Sequence, residues 1–139
     1  MTSNGKKKRV WLRVLLGILI GIAAIIGGVV AFALLGKETT MAQLPHTVPL
    51  DDVADGVYEG SYAGFRWSNT LQVTVQDHLI TNITVTQPQT VIKEETMATL
   101  EERVLEAQSP DVDTVAEATV DSKAYLKAVE NALISAAAE

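Results

Sequence analysis

The stretch from Val14 to Gly36 limits this chain more than any other feature, because it runs 23 residues without a single charge. As a helix it rises about 34 Å, against a bilayer hydrocarbon core of about 30 Å. Lys6, Lys7, Lys8, Arg9 and Arg13 stand directly before it, and Lys37-Glu38 follow it with no comparable basic cluster. That asymmetry is expected of a span whose N-terminal flank stays in the cytoplasm while the remainder is carried across. Residues 1–13 therefore read as a basic cytoplasmic segment and 14–36 as a transmembrane helix in a single-pass protein of the cell membrane. Ala31-Phe32-Ala33 also fits the small-x-small pattern of a signal-peptide cleavage site. The apolar stretch is longer than a usual signal core, which favours a retained anchor in contact with lipid.

Charge divides the chain a second time. Residues 37–139 hold 6 basic side chains against all 17 acidic ones, a net −11. A body this acidic argues against nucleic acid, whose phosphates are bound by basic side chains. The chain has no cysteine, which excludes disulfides, zinc-thiolate sites and the acylated cysteine of a lipoprotein. Residues 37–54 read as a linker: Pro45 and Pro49 interrupt helix, Thr39, Thr40 and Gln43 are polar, and no apolar period persists. His46 with Asp51 and Asp52 in such a tether reads as solvated rather than metal-binding.

A small domain is expected over residues 55–139. Leu71, Val73 and Val75 alternate with Gln72, Thr74 and Gln76, the period of a strand with one face buried. Asp77-His78 falls where a two-residue hairpin loop belongs, and Ile80 to Val85 supply a β-branched return strand. Val57 to Tyr62 makes a third strand, with Tyr58 and Tyr62 on the face of Gly60, and Pro88 ends the sheet run. Between about Lys93 and Gln108, Met97, Leu100, Val104 and Ala107 recur at helical spacing, opposite an acidic face. Ser109-Pro110-Asp111 breaks that helix, and a second runs from near Ser122 to Ala136 on Tyr125, Val129 and Leu133. The expected fold is α+β, a small antiparallel sheet packed with two helices in the order β-β-β-α-loop-α. No triad, nucleophile pair or glycine-rich phosphate loop is present, and the two histidines lie far apart in sequence. No catalytic residue and no metal ligand is assigned.

The order of particular residues goes further. Asp55-Gly56-Val57-Tyr58-Glu59-Gly60, the hairpin at Asp77, Glu106-Ala107-Gln108-Ser109 and the run Asp113 to Ala124 closely resemble the FMN-binding domain family, over essentially residues 55–137. The resemblance implies a domain like those in flavin-carrying subunits of sodium-pumping quinone reductases and in extracellular electron-transfer proteins, and a bacterial source. It implies FMN as cofactor, held noncovalently or joined through a phosphodiester to the threonine of Asp-x-x-Ser/Thr-Gly-Ala-Thr by a flavin transferase. Carried onto this chain, the pattern's aspartate is Asp113, its alanine Ala118 and its acceptor Thr119, with Ser122 shortly after. It further implies an electron carrier rather than an independent enzyme, working with a redox partner in or outside the membrane.

Three positions depart from the family pattern. Ala116 stands for the small hydroxyl residue, Glu117 for the glycine, and Asp121 for a hydroxyl residue two positions past the acceptor. A flavin phosphate ahead of a helix is favoured by free backbone amides and the positive end of the helix dipole. Glu117 is expected to forfeit glycine's backbone freedom and to add a negative charge. Asp121 adds another and is expected to cap the last helix itself. A flavin-free member serving as a binding or scaffolding module is the alternative. Tyr58, Tyr62, Phe65 and Trp67 around Arg66 are expected mainly as core, with a flavin-stacking surface as the other reading. Asn82-Ile83-Thr84 matches the N-glycosylation pattern but lies in an expected strand of a bacterial domain, and is discounted.

Overall fold

The structure, a computed structural model, describes residues 3–139, which fall into two compact units divided between Leu34 and Leu35. The first is helix α1, Ser3–Leu34. Its side chains are exposed almost throughout, and it is long and apolar enough to cross a membrane.

The second unit holds a short helix α2 (Lys37–Met41), strands β1 (Gly56–Tyr62), β2 (Asn69–Gln76) and β3 (Leu79–Gln87), and helices α3 (Glu94–Ala107) and α4 (Thr119–Ala137). The three strands form one antiparallel sheet in the order β1-β2-β3. This is the expected α+β architecture. Leu71, Val73 and Val75 of β2 are fully buried, while Thr70, Gln72 and Thr74 lie on the wetter face. The β2–β3 turn has Asp77 and His78 both at positive φ, 52° and 62°, the backbone of a tight turn matched to strand twist. Asp55 Oδ1 accepts the Asp77 amide at 2.7 Å, and His78 Nδ1 lies 3.1 Å from the carbonyls of both Leu50 and Val53.

Strand β3 does not hold a strict period of two. Ile80 and Ile83 both face the core although three positions apart, because the register slips where Thr74 pairs Asn82 and Val75 pairs Ile80. Thr81 is the extra residue of that bulge, and the slip returns the next apolar side chain to the buried face.

Helix α4 lies across β1 and β2, and α3 packs beside it over β3. Leu100 and Val104 from α3 meet Tyr125, Leu126, Val129 and Leu133 from α4 in one core with the sheet. Gly60 allows the closest approach. A Cβ there would stand 2.5 Å from Ala132 N and 2.6 Å from Ala132 Cβ, well inside the contact distance of about 3.5–4.0 Å between carbon atoms.

The segment expected as a linker is packed on the domain. Thr40, Val48 and Val53 are buried, and Thr40 Oγ1 pairs with Tyr62 Oη at 2.9 Å. Thr47 pairs with Ser109 at 3.0 Å, and Lys123 Nζ donates to the Met41 carbonyl. His46 Nδ1 lies 3.5 Å from Glu130 Oε1, a buried carboxylate that Lys127 also holds at 2.8 Å. Met97 and Val112 add partly buried apolar surface elsewhere. Helix α4 is consequently buried on more of its circumference than a one-faced helix would be.

Candidate functional site

The start of α4 is where the motif residues gather, and its local chemistry explains its shape. Ala118 is the N-cap residue, at φ −129° and ψ 35°, and offers no side-chain cap. Ser122 does the holding: buried one turn in, its Oγ donates to the Ala118 carbonyl at 2.7 Å and accepts the Val115 amide at 3.0 Å. This folds residues 115–118 back onto the first turn of the helix. The helix therefore begins at Thr119, three residues earlier than its apolar period suggested, and Thr119 is its first, partly buried residue. Asp121 is in the first turn and is not the cap it was expected to be. The first-turn amides of such a helix have no partner within it.

Glu117 takes φ 63°, in the left-handed region. The expectation that an acid here would forfeit the glycine backbone is thus corrected. The chain keeps the conformation and bears the strain of a side chain in it, about 1–2 kcal/mol.

In front of this turn lies a cleft of about 300 Å³. Val115, Ala116, Glu117, Ala118 and Asp121 form one side, and Val91, Ile92, Lys93, Glu95 and Thr96 the other. Four of the five motif-side residues are thus the pattern's Ala118 and the three departures from it. Thr119 does not line the cleft but follows Ala118 directly, and Ser122 acts behind it as a brace. Asp113 is elsewhere. It borders a shallower depression with Arg103, Glu106 and Asp111, and its carbonyl, with that of Thr114, accepts from Arg103 Nη1 at 2.8 and 2.9 Å. Arg103 thereby anchors the loop that enters the motif. Nothing in its sequence position, one cation in an acidic helix, distinguishes that role.

Behind the cleft lies a buried polar cluster. Gln89 Nε2 donates to the Asp121 carbonyl at 2.9 Å, while Gln89 Oε1, Trp67 Nε1 and Asp121 Oδ1 are buried without a hydrogen-bond partner. The Trp67 indole lies near the Asp121 carboxylate but does not reach hydrogen-bond geometry. Arg66 stacks on the Trp67 ring with its guanidinium 4.1 Å from the centroid. Burial raises the Asp121 pKa above the usual carboxylate value of 3.8, against the opposing attraction of Arg66. Of the other aromatic residues, Tyr58 and Tyr62 pack against the core, as expected. Phe65 is 59% exposed. Among the described residues no group of His, Asp and Glu is placed to hold a metal ion.

A family model for the FMN-binding domain matches residues 64–134, from near the start of the β1–β2 connection through most of α4. The chain belongs to the FMN-binding domain family. An uncharacterized protein of Treponema pallidum (strain Nichols) is 34% identical over 99 residues, which cover 70% of this chain and 27% of that protein. The chain thus spans about a quarter of that relative's length.

FMN is the family's cofactor, and the cleft can be tested against it. Its apolar sides, Val91, Ile92, Val115, Ala116 and Ala118, suit a flat aromatic ring system. The uncapped amides of α4 suit an anionic phosphate. The volume is at the lower end of small-molecule sites, which span about 300–1,000 Å³. Lys93 and the nearby Arg66 offer positive charge, and Glu95, Glu117 and Asp121 oppose it. Shape and backbone fit the cofactor, and the acids set a condition on its phosphate.

Proposed function

We propose that this protein is a membrane-anchored electron carrier whose flavin domain lies outside the cytoplasm, held by α1 as a single-pass span. FMN occupies the cleft at the start of α4, with Thr119 as the residue through which it is joined covalently. The observation that carries this reading is the coincidence of the family motif with an uncapped helix start and a cleft between residues 91–96 and 115–121. When bound, FMN supplies the redox chemistry. The chain's part is placement. Ser122 and Arg103 hold the motif turn, first-turn amides of α4 face the phosphate position, and the apolar residues of both walls shield one part of the ring. The basic cluster Lys6 to Arg13 in the first turns of α1, ahead of its uncharged stretch, supports the orientation, and the redox partner is a protein in or outside the same membrane.

The test is chemical. The full chain is expressed with an active flavin transferase, denatured, and examined for flavin fluorescence on the polypeptide and a mass increase of one FMN less one water. Thr119→Val abolishes both. An unmodified mass beside a transferase shown to act on another substrate refutes covalent attachment, and absence of FMN binding by the unmodified chain refutes the carrier. The presence of Glu117 and Asp121 in the motif favours one second reading, a flavin-free module that docks on a membrane redox complex. That reading gains if both signals are absent.

A further inference from the structure

Asp121 stands where the family pattern has a hydroxyl residue, and the two chemistries differ by a proton. A serine or threonine hydroxyl can donate a hydrogen bond to a phosphate oxygen. An ionised carboxylate is an acceptor only, whereas a protonated one has an O–H to donate. In this structure Asp121 borders the cleft, and its Oδ1 is shut away from solvent without a partner. Every packed element contributes to its surroundings: Arg66 and Trp67 from the turn before β2, Gln89 from the segment after β3, Lys93 and Glu95 from the entry to α3, and Glu117 from the motif turn. Two further acids and two cations thus lie in or beside the cleft of a carboxylate whose Oδ1 has no hydrogen-bond partner.

An FMN phosphate brought to the start of α4 carries between one and two negative charges near neutral pH, its second ionisation lying near pH 6. Beside an ionised Asp121 it meets a second acceptor and a like charge. Beside a protonated Asp121 it meets a donor in the place of the missing hydroxyl. Resting on the reading that this cleft holds FMN, we propose that Asp121 makes the noncovalent seating of FMN, before any bond to Thr119 forms, proton-linked: the carboxyl takes up one proton from solvent as the phosphate is seated, and loss of that proton favours release of the unjoined flavin. Burial already biases Asp121 toward its protonated form, so the proton is gained at a higher pH than an exposed aspartate would allow.

The experiment uses the full chain purified in detergent from a host without flavin transferase, so that Thr119 is unmodified. FMN and riboflavin are titrated by fluorescence between pH 5 and pH 8 into the natural chain, Asp121→Asn and Asp121→Thr. Protons taken up are counted by calorimetry in two buffers of different ionisation enthalpy. FMN affinity of the natural chain falls at least about tenfold across this range, the linkage expected for each pH unit above the carboxyl's pKa. Both variants lose most of that fall, and at pH 8 both bind FMN more tightly than the natural chain. Because the phosphate's own ionisation is common to all three proteins, the difference between them isolates Asp121. Riboflavin, without phosphate, shows little pH dependence in any of them. The proposal is overturned if Asp121→Asn keeps the natural pH profile, if FMN binding is flat with pH, or if riboflavin follows the same profile as FMN. If neither flavin binds any of the proteins, the FMN reading fails and takes this one with it, an outcome distinct from pH-independent FMN binding.

Discussion

Glu117 provides a test in which the sign of an effect, and not its size, decides. Its φ of 63° places a side chain in the left-handed region, where an L-residue is disfavoured by about 1–2 kcal/mol and glycine is not. Glycine carries the opposite cost in the unfolded chain, where its greater freedom makes it less stable than alanine by about 0.4–1 kcal/mol at an ordinary position. Glu117→Gly should then be more stable than Glu117→Ala by about 1 kcal/mol. With ordinary φ at this turn the order would be reversed. For a domain of this size the difference is about 4–8 °C in Tm. The chain's two tryptophans are Trp11 in α1 and the buried Trp67 beside the site. Thermal unfolding read by near-UV circular dichroism in a Trp11→Phe background therefore reports this domain. Both variants remove the same charge, so electrostatics cancels from the comparison. An alanine variant as stable as the glycine variant, or more so, would refute the left-handed turn and with it the claim that the phosphate cradle persists without its glycine.

Three further outcomes follow from the packing and the titration. Gly60→Ala forces a methyl into the Ala132 backbone, and overpacking at a helix–strand contact costs about 1–3 kcal/mol. A loss of Tm under a few degrees would show that α4 does not rest on β1 at this point. Val53→Ala removes two methyl groups from a fully buried site and should cost about 1–3 kcal/mol by chemical denaturation, whereas a side chain in a solvated tether would cost nothing measurable. The folded pKa of Asp121 is raised above its ordinary value, so the folded state holds this proton more tightly than the unfolded chain. The stability that this proton contributes is fully present below the ordinary pKa of 3.8 and is lost as pH rises through the folded value. Asp121→Asn therefore gains stability relative to the natural chain at pH 7.5 and loses that advantage by about pH 4; equal gains at both pH values would contradict the assignment.

Where apolar side chains repeat, the sequence foretold the structure well. Leu71, Val73 and Val75 announce a half-buried strand, Asp77-His78 the hairpin turn that follows it, and Leu100 with Val104 and Tyr125 with Val129 announce helices. Features without a period escaped. Val48 and Val53 are buried singly in an irregular strap, and isolated apolar residues among prolines carry no repeat by which burial can be read. The bulge at Thr81 breaks the alternation it serves. Helix α4 begins at Thr119 because the Ser122 hydroxyl and the Ala118 carbonyl close its first turn from inside, a device that leaves no apolar signature. Of the residues named from the motif, Ala118 lines the cleft, Thr119 follows it directly, Ser122 braces the turn and Asp113 lies elsewhere. The far wall, Val91 to Thr96, lies beyond Pro88 with no pattern to link it to residues 115–121, and only the tertiary fold brings the two together.

The three departures from the family motif therefore fall into separate physical classes. Loss of glycine at 117 concerns backbone geometry, and the fold retains that geometry at the expense of local strain. Loss of a hydroxyl at Ala116 removes a polar group from the cleft wall and leaves an apolar one, which is compatible with a flavin ring although not with an extra hydrogen bond. Loss of a hydroxyl at Asp121 is different in kind, since it substitutes a group whose sign and donor capacity depend on pH. The acidity of the whole domain acts weakly at a distance, because salt screens exposed charges beyond about 10 Å. Asp121 is not so screened: its Oδ1 is buried, unpartnered and at the helix end where an anion would be seated. On the proposed reading, backbone shape preserves a site for a phosphate while one side chain decides when that phosphate is tolerated, and these two properties are separable by substitution at 117 and at 121.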